Sequence, residues 1–504
     1  MLFTSYGFIA FLIVLFALYY LIPRKWQWLL LLVADIVFYA CAGWQGLVFM
    51  AATVTVSWAA TNLMGCSLRR QKAYLASDEG KALSRPERKE YKKLEEKKRK
   101  HVFVLALLID LGILAALKYT NFVIFNFNSL FSADVAAVDW VLPLGISFYT
   151  FQTVSYVIDV YWEKVEPERN ILKVALFTSF FPLLIQGPIS RFGDLKDTLF
   201  AEHKADLKQI SFGLQRILWG YFKKLVIADR LLVAVTALCA DFTGGIDITI
   251  GIAQVLGVSV RENFIRPYFS RNIAEYWRRW HISMGTWFKD YIFYPLSVAP
   301  WLLKLSKKAR KSISDGFGKK LSVYVSTIVT WFLTGLWHGA AWNFVVWGLL
   351  NAFFILLAEE FKPLSVKFRE KHARLVSGFG YRVFETLRTF FLMCSLRILD
   401  CYRDVAVSFK AFGSIFTTNN WGEAFSGELL KLGLTGADYI VAGVGVALMF
   451  AVSCVQEKCG CVRELMWKKT AVPYVVFALL ALCILVFGAY GVGYDSSQFI
   501  YNQF

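Results

Sequence analysis

Two of the five histidines stand apart from the others. His101, His203 and His372 sit in polar, basic stretches, whereas His281 and His338 are set among tryptophans and aliphatic residues. His338 lies in the run Thr334-Gly335-Leu336-Trp337-His338-Gly339-Ala340-Ala341-Trp342-Asn343, between two apolar blocks. Ionisable groups at membrane depth are costly and tend to line pathways or sites. A neutral imidazole accepts a proton near pH 7, so His338 is a candidate general base for activating a hydroxyl. The flanking glycines would let a substrate come close to the ring, with Trp337 and Asn343 beside it. Asn343 or backbone amides near Gly339 are candidates for stabilising an oxyanion. The competing reading is a hydrogen-bonded structural histidine, and the residues alone leave both open.

His281 belongs to a second constellation, NIAEYWRRWHISMGTWFKDY (272–291). Read as one helix, it gathers Ile273, Tyr276, Trp277, Trp280, Met284, Trp287, Phe288 and Tyr291 on one broad face. Glu275, Arg278 and Lys289 fall opposite, with Arg279 nearby. That is the pattern of an interfacial amphipathic helix, with aromatics at headgroup level and arginines toward phosphates. Trp277, Arg278 and Arg279 are candidates for binding a donor at its entrance. His281 sits at the edge of the apolar face, either as a supporting residue for the chemistry or as a space-filling part of an anchor.

The elements that must position these residues are set by composition. Of 504 residues 57% are hydrophobic, 17% aromatic and 18% charged, against roughly a quarter charged in ordinary soluble proteins. The apolar residues come in long blocks, including 7–22, 26–42, 47–64 and 472–490, and a helix needs roughly 20 such residues to cross a bilayer. This predicts an all-α, polytopic membrane protein. The first block lacks a basic region before it, and Pro23-Arg24-Lys25 follows where a cleavage site would sit, so it reads as a retained helix. The formal net charge of +18 would suggest nucleic acid in a soluble protein. Here the cations cluster between apolar blocks, as in cytoplasmic loops facing anionic lipid, and no nucleic-acid partner is expected.

The cation distribution also predicts orientation. Segment 69–100 holds 13 Lys/Arg against 6 Asp/Glu, and Ser84-Arg85-Pro86-Glu87 resembles a capping box, so a short charged helix on the cytoplasmic surface is expected there. Segment 304–320 carries seven Lys/Arg and one Asp. Placing both inside puts the two termini outside. The middle resists clean counting. Segments 141–162 and 172–189 are broken by Pro143, Gly145, Pro182, Gly187 and Pro188, and 244–257 is glycine-rich. Broken segments survive at membrane depth only when buried in protein or lining a watery cavity. Re-entrant segments around a central cavity are expected, with about 11–13 crossings in one membrane domain. Gln152, Gln186 and Asp247, with Pro143, are candidates for the cavity wall. Asp35 and Asp110 lie inside apolar blocks, either as a proton or ion path or paired with polar neighbours. The cluster Cys454, Cys459 and Cys461 does not have a familiar zinc spacing, so thiols and no metal are expected.

The motifs WRRWHIS and GLWHGAAWN resemble those of the membrane-bound O-acyltransferase (MBOAT) family. PLGISFYTFQ (143–152), QGPISR (186–191), DFTGGIDITIG (241–251) and ENFIRPYFS (262–270) resemble it in family order. The likeness is strongest to the bacterial branch, which includes the membrane components of alginate O-acetylation and of teichoic-acid D-alanylation. It covers about residues 2–404, with a signature core at 140–360, and leaves 401–504 as additional helices. The resemblance implies a tunnel through a bacterial inner membrane. An acyl group, acetyl on this reading, would pass from a cytoplasmic thioester (acetyl-CoA or an acyl carrier protein) toward a polysaccharide or a secreted or membrane-anchored SGNH-type acyltransferase. No bound cofactor is implied. His338 matches the family's signature histidine and His281 the second. D-alanyl transfer, a transporter or flippase, and a scaffold for polymer export are the alternatives.

Overall fold

The apolar blocks fold into helices, as a chain must when no water is present to satisfy its backbone. The computed structural model describes residues 3–231, 237–419, 421–424, 426–469 and 471–490. Among these there is no strand. Among the described residues, four helices are long and apolar enough to cross a membrane: Trp44–Ala76, Arg85–Phe131, Trp342–Glu360 and Gly436–Cys459. Shorter apolar helices run over Tyr6–Leu21, Val405–Thr417 and Val472–Phe487. The protein is an all-α, multi-pass membrane protein.

The described residues form two compact units, Met1–Gly213 with Ile252–Val260, and Leu214–Gly251 with Arg261–Phe504. In the first unit, the basic segment differs from expectation. Ser84 and Glu87 do form the capping box, but the helix they start runs unbroken over Arg85–Phe131. At 1.5 Å per residue its 47 residues span about 70 Å. The charged half and the apolar half are one rod because Lys, Glu, Arg and Leu are all good helix formers and no proline interrupts them after Pro86. The rod returns along Trp44–Ala76. Ser67 donates to Glu95 at 3.0 Å, and the Tyr74 and Tyr91 rings lie 4.7 Å apart.

Buried carboxylates in this unit serve its packing. Asp35 accepts from the Ser179 hydroxyl and the Phe181 backbone N–H, both at 2.9 Å, and Asp110 accepts from Ser57 at 2.8 Å. Of the segments expected to be broken, 172–189 is: helix Ile171–Ser179 gives way to the short Phe181–Leu184. Gly145 takes φ +68 at the start of Ile146–Tyr161, where its missing Cβ lets the Leu184 carbonyl approach.

The glycine-rich stretch 244–257 is not broken as expected, for helix Ala237–Val255 runs through both Gly244 and Gly245. Within the second unit a Cβ on Gly244 would lie 2.9 Å from the Gly220 carbonyl, so glycine here permits close helix approach instead of a break. The same device joins Asp315–His338 to Trp342–Glu360. A Cβ on Gly335 would strike the Phe344 carbonyl, and one on Gly348 the Trp331 carbonyl.

Candidate active site

His338 is the last residue of helix Asp315–His338. The chain turns extended at Gly339 and re-enters a helix at Trp342, so the imidazole stands at the corner of a tight hairpin. It is half-buried and walled by aromatic rings. Trp347 meets it edge-on at 4.6 Å between centroids, Trp337 at 5.1 Å, and Phe344 stacks at 6.4 Å. Behind Trp347 lie Trp277 at 5.8 Å and Trp331 at 6.1 Å, themselves 4.7 Å apart. The Trp277 indole nitrogen is buried with no hydrogen-bond partner.

The single helix expected over 272–291 is in fact two, Ile273–Arg279 and Ile282–Phe288, followed by a π-helical turn over Lys289–Phe293. The break falls at His281, which adopts φ +46. Loop 263–265 stabilises it by taking up backbone groups the helix has lost. Ile282 N–H donates to the Asn263 carbonyl at 3.0 Å, and Ile265 N–H to the Arg279 carbonyl at 2.9 Å. Tertiary hydrogen bonding thus overrides a helical periodicity, and the wheel drawn for one continuous helix does not apply beyond Arg279.

The break turns His281 inward. It is fully buried, packed on Phe242 at 5.1 Å, Trp337 at 5.7 Å and Phe264 at 6.2 Å. It lies outside the helices that cross the membrane. Burial pulls its pKa well below the ordinary value, the Arg397 charge adds to this, and the ring is neutral. Asn263 Nδ2 lies 3.3 Å from its Nδ1. The Trp337 ring packs against both histidines.

Beside this cluster opens a cavity of about 2960 Å³, lined among others by Trp277, Arg278, Arg279, Trp331, Thr334 and Asp247. It reaches Thr334, one helical turn before His338, and neither histidine is among its lining residues. Asp247 is on the wall but engaged, one oxygen taking Arg216 Nε at 2.9 Å and the other Lys223. Arg216 also forks onto Glu262 with two bonds of 2.5 Å. Asn343 is buried beside the hairpin, donating to the Leu399 carbonyl at 2.8 Å, with its side-chain oxygen unpartnered. Gln152 and Gln186 belong to the first unit. Both are buried, the Gln152 amide nitrogen and both polar atoms of Gln186 having no partner.

Sequence reasoning passed over Arg397. Its guanidinium is buried 4.1 Å from the Trp280 ring centre and 3.0 Å from Asp400. An arginine inside the otherwise apolar run 390–399 was the available signal, since charge at such a position calls for a partner.

A half-buried histidine in a tryptophan cage, on a multi-pass helical scaffold, fits acyl transfer, and comparison with known proteins agrees. Residues 230–397, which hold both histidines, match the membrane-bound O-acyltransferase family. The chain belongs to this family, and is an O-acyltransferase. It is similar to a probable alginate O-acetylase of Azotobacter vinelandii, 34% identical over 379 residues that make up 69% of this chain and 66% of that one. It is similar to another probable alginate O-acetylase from Pseudomonas syringae pv. tomato, at 28% over 480 residues, 89% of this chain and 81% of the relative. A teichoic acid D-alanyltransferase of Bacillus subtilis is 26% identical over 277 residues, 50% of this chain and 66% of that one.

Proposed function

We propose that this chain moves an acetyl group from a cytoplasmic thioester, acetyl-CoA or an acyl carrier protein, toward a cell-envelope polysaccharide, directly or through a secreted or membrane-anchored SGNH-type acyltransferase. The observation that carries the reading is His338, half-buried among Trp337, Trp347 and Phe344 at a hairpin corner beside a large cavity. Acetyl is preferred to D-alanyl because similarity to alginate O-acetylases extends over 89% of the chain, against 50% for the D-alanyltransferase.

In the proposed step His338 takes the proton of the acceptor hydroxyl as its oxygen attacks the thioester carbonyl carbon. The tetrahedral oxyanion collapses, the carbon–sulfur bond breaks, and the imidazolium returns the proton to the leaving thiolate. Trp277, Arg278 and Arg279 would receive the donor at the cavity, where exposed Arg278 offers a cation to its phosphates. Gln152, Gln186 and Asp247 remain proposed substrate contacts, as do Trp337 and Asn343 beside His338. The proposal includes a bacterial inner membrane, and the cation distribution supports both termini lying outside it.

The test is His338→Ala in a producing strain, with membrane level and detergent behaviour matched to the wild type. Alkali-labile acetate on the envelope polymer should fall by about 10²–10⁴-fold, the contribution of a positioned base. Near-normal acetate would reopen the transporter and scaffold readings.

A further inference from the structure

The Asn263 carboxamide has its orientation fixed by its neighbours. Its oxygen accepts from the backbone N–H and the hydroxyl of Ser283, each at 2.9 Å. A backbone N–H can only donate, so the oxygen must face Ser283 and the amide nitrogen must face away. That nitrogen stands 3.3 Å from His281 Nδ1. It too can only donate, so Nδ1 bears the lone pair and, in a neutral ring, the proton sits on Nε2.

His281 Nε2 is then an N–H donor, fully buried, and no protein atom accepts from it. Buried donors are nearly always paired, and an unpaired one destabilises the fold that holds it. The backbone around it is unusual as well, since His281 is one of four non-glycine residues with positive φ among the described residues. Such outliers gather at sites where the conformation serves function. Trp337 packs against this ring on one side and against His338 on the other.

Resting on the acyl-transfer reading above, we infer that His281 is not a second base but a hydrogen-bond donor, offering Nε2–H to an oxygen of the acyl substrate, and that Asn263 is the positioning residue that fixes this tautomer. The oxygen that suits such a donor best is the thioester carbonyl, which becomes negative as the acceptor adds. His338 and His281 thereby divide the work: one takes a proton, the other supplies a hydrogen bond. Asn263 touches no substrate in this arrangement and acts only through His281.

Three variants separate this from a structural role, with acetate on the envelope polymer as one readout and ¹⁵N NMR of histidine-labelled protein in detergent as the other. His281→Ala should lower transfer by about 10²–10³-fold, the usual loss on removing one oxyanion donor. His281→Gln carries an amide N–H of similar reach and should recover at least about tenfold of that loss, which no replacement of a base would do. Asn263→Asp keeps the acceptor for Ser283 but turns an oxygen toward Nδ1, and should move the ring proton from Nε2 to Nδ1 while transfer falls. His281→Gln as inactive as His281→Ala at equal membrane level overturns the inference. So does a wild-type spectrum with the proton on Nδ1, a measurement that needs no variant to fold. His338→Ala, run alongside, keeps the two claims apart: retained acetate there defeats acyl transfer by His338, whatever His281 does.

Discussion

At the scale of single residues, the site depends on side chains that the chemistry never touches. Arg397 is buried between Trp280 and Asp400, and removing one member of a buried ion pair leaves the other uncompensated, typically costing about 3–5 kcal/mol. Arg397→Leu should therefore unfold at a clearly lower temperature in detergent. Arg397→Leu/Asp400→Leu should regain much of the loss, because the orphaned charge is gone. Equal midpoints for Arg397→Leu and wild type would show that the pair carries little. His281 and His338 were legible in the sequence because each is a rare polar residue in an apolar, tryptophan-rich run. Arg397, Asn263 and Arg216 were not, because their meaning lies in partners 3 to 117 positions away. Asn263 stood inside a motif noticed only as a string. Its use emerges from the bend that brings Ser283 and His281 to the two ends of one carboxamide.

Among elements, the hairpin of Asp315–His338 and Trp342–Glu360 holds His338 in place through contact without side chains at Gly335 and Gly348. Gly335→Ala puts a methyl against the Phe344 carbonyl and should destabilise the protein by about 1–3 kcal/mol, the usual result of overpacking. Thermal unfolding in detergent checks it, and an unchanged midpoint would mean that the two helices can separate freely. Periodicity was a good guide where a helix is held by its own apolar stripe, and a poor one elsewhere. It missed the break at His281, where loop 263–265 competes for the backbone. It also misjudged 244–257, where glycines suggested a break but instead let Ala237–Val255 approach Gly220. Local sequence records the tendency to form a helix. What interrupts or compresses it is supplied by neighbours.

For the whole molecule, orientation follows from where the cations lie. The charged hairpin joining Trp44–Ala76 to Arg85–Phe131 should face the cytoplasm. Glu79, exposed at its turn, is the place to ask. In a background lacking all nine native cysteines, Glu79→Cys should resist a membrane-impermeant maleimide in intact cells and react once the membrane is opened. Strong labelling of intact cells would invert the topology. The second unit carries a further consequence in its paired charges. Arg216, Lys223 and Lys224 are met by Asp229, Asp241, Asp247 and Glu262, so all three cations are synthesised before the anions that balance them. A ribosome that has just delivered Lys224 has given the membrane three positive charges and none of these four partners. The segment cannot settle until Asp229, Asp241 and Asp247 have followed: with the third carboxylate, 23 residues after Lys224, the charges stand three to three, and Glu262 emerges later to close the fork on Arg216.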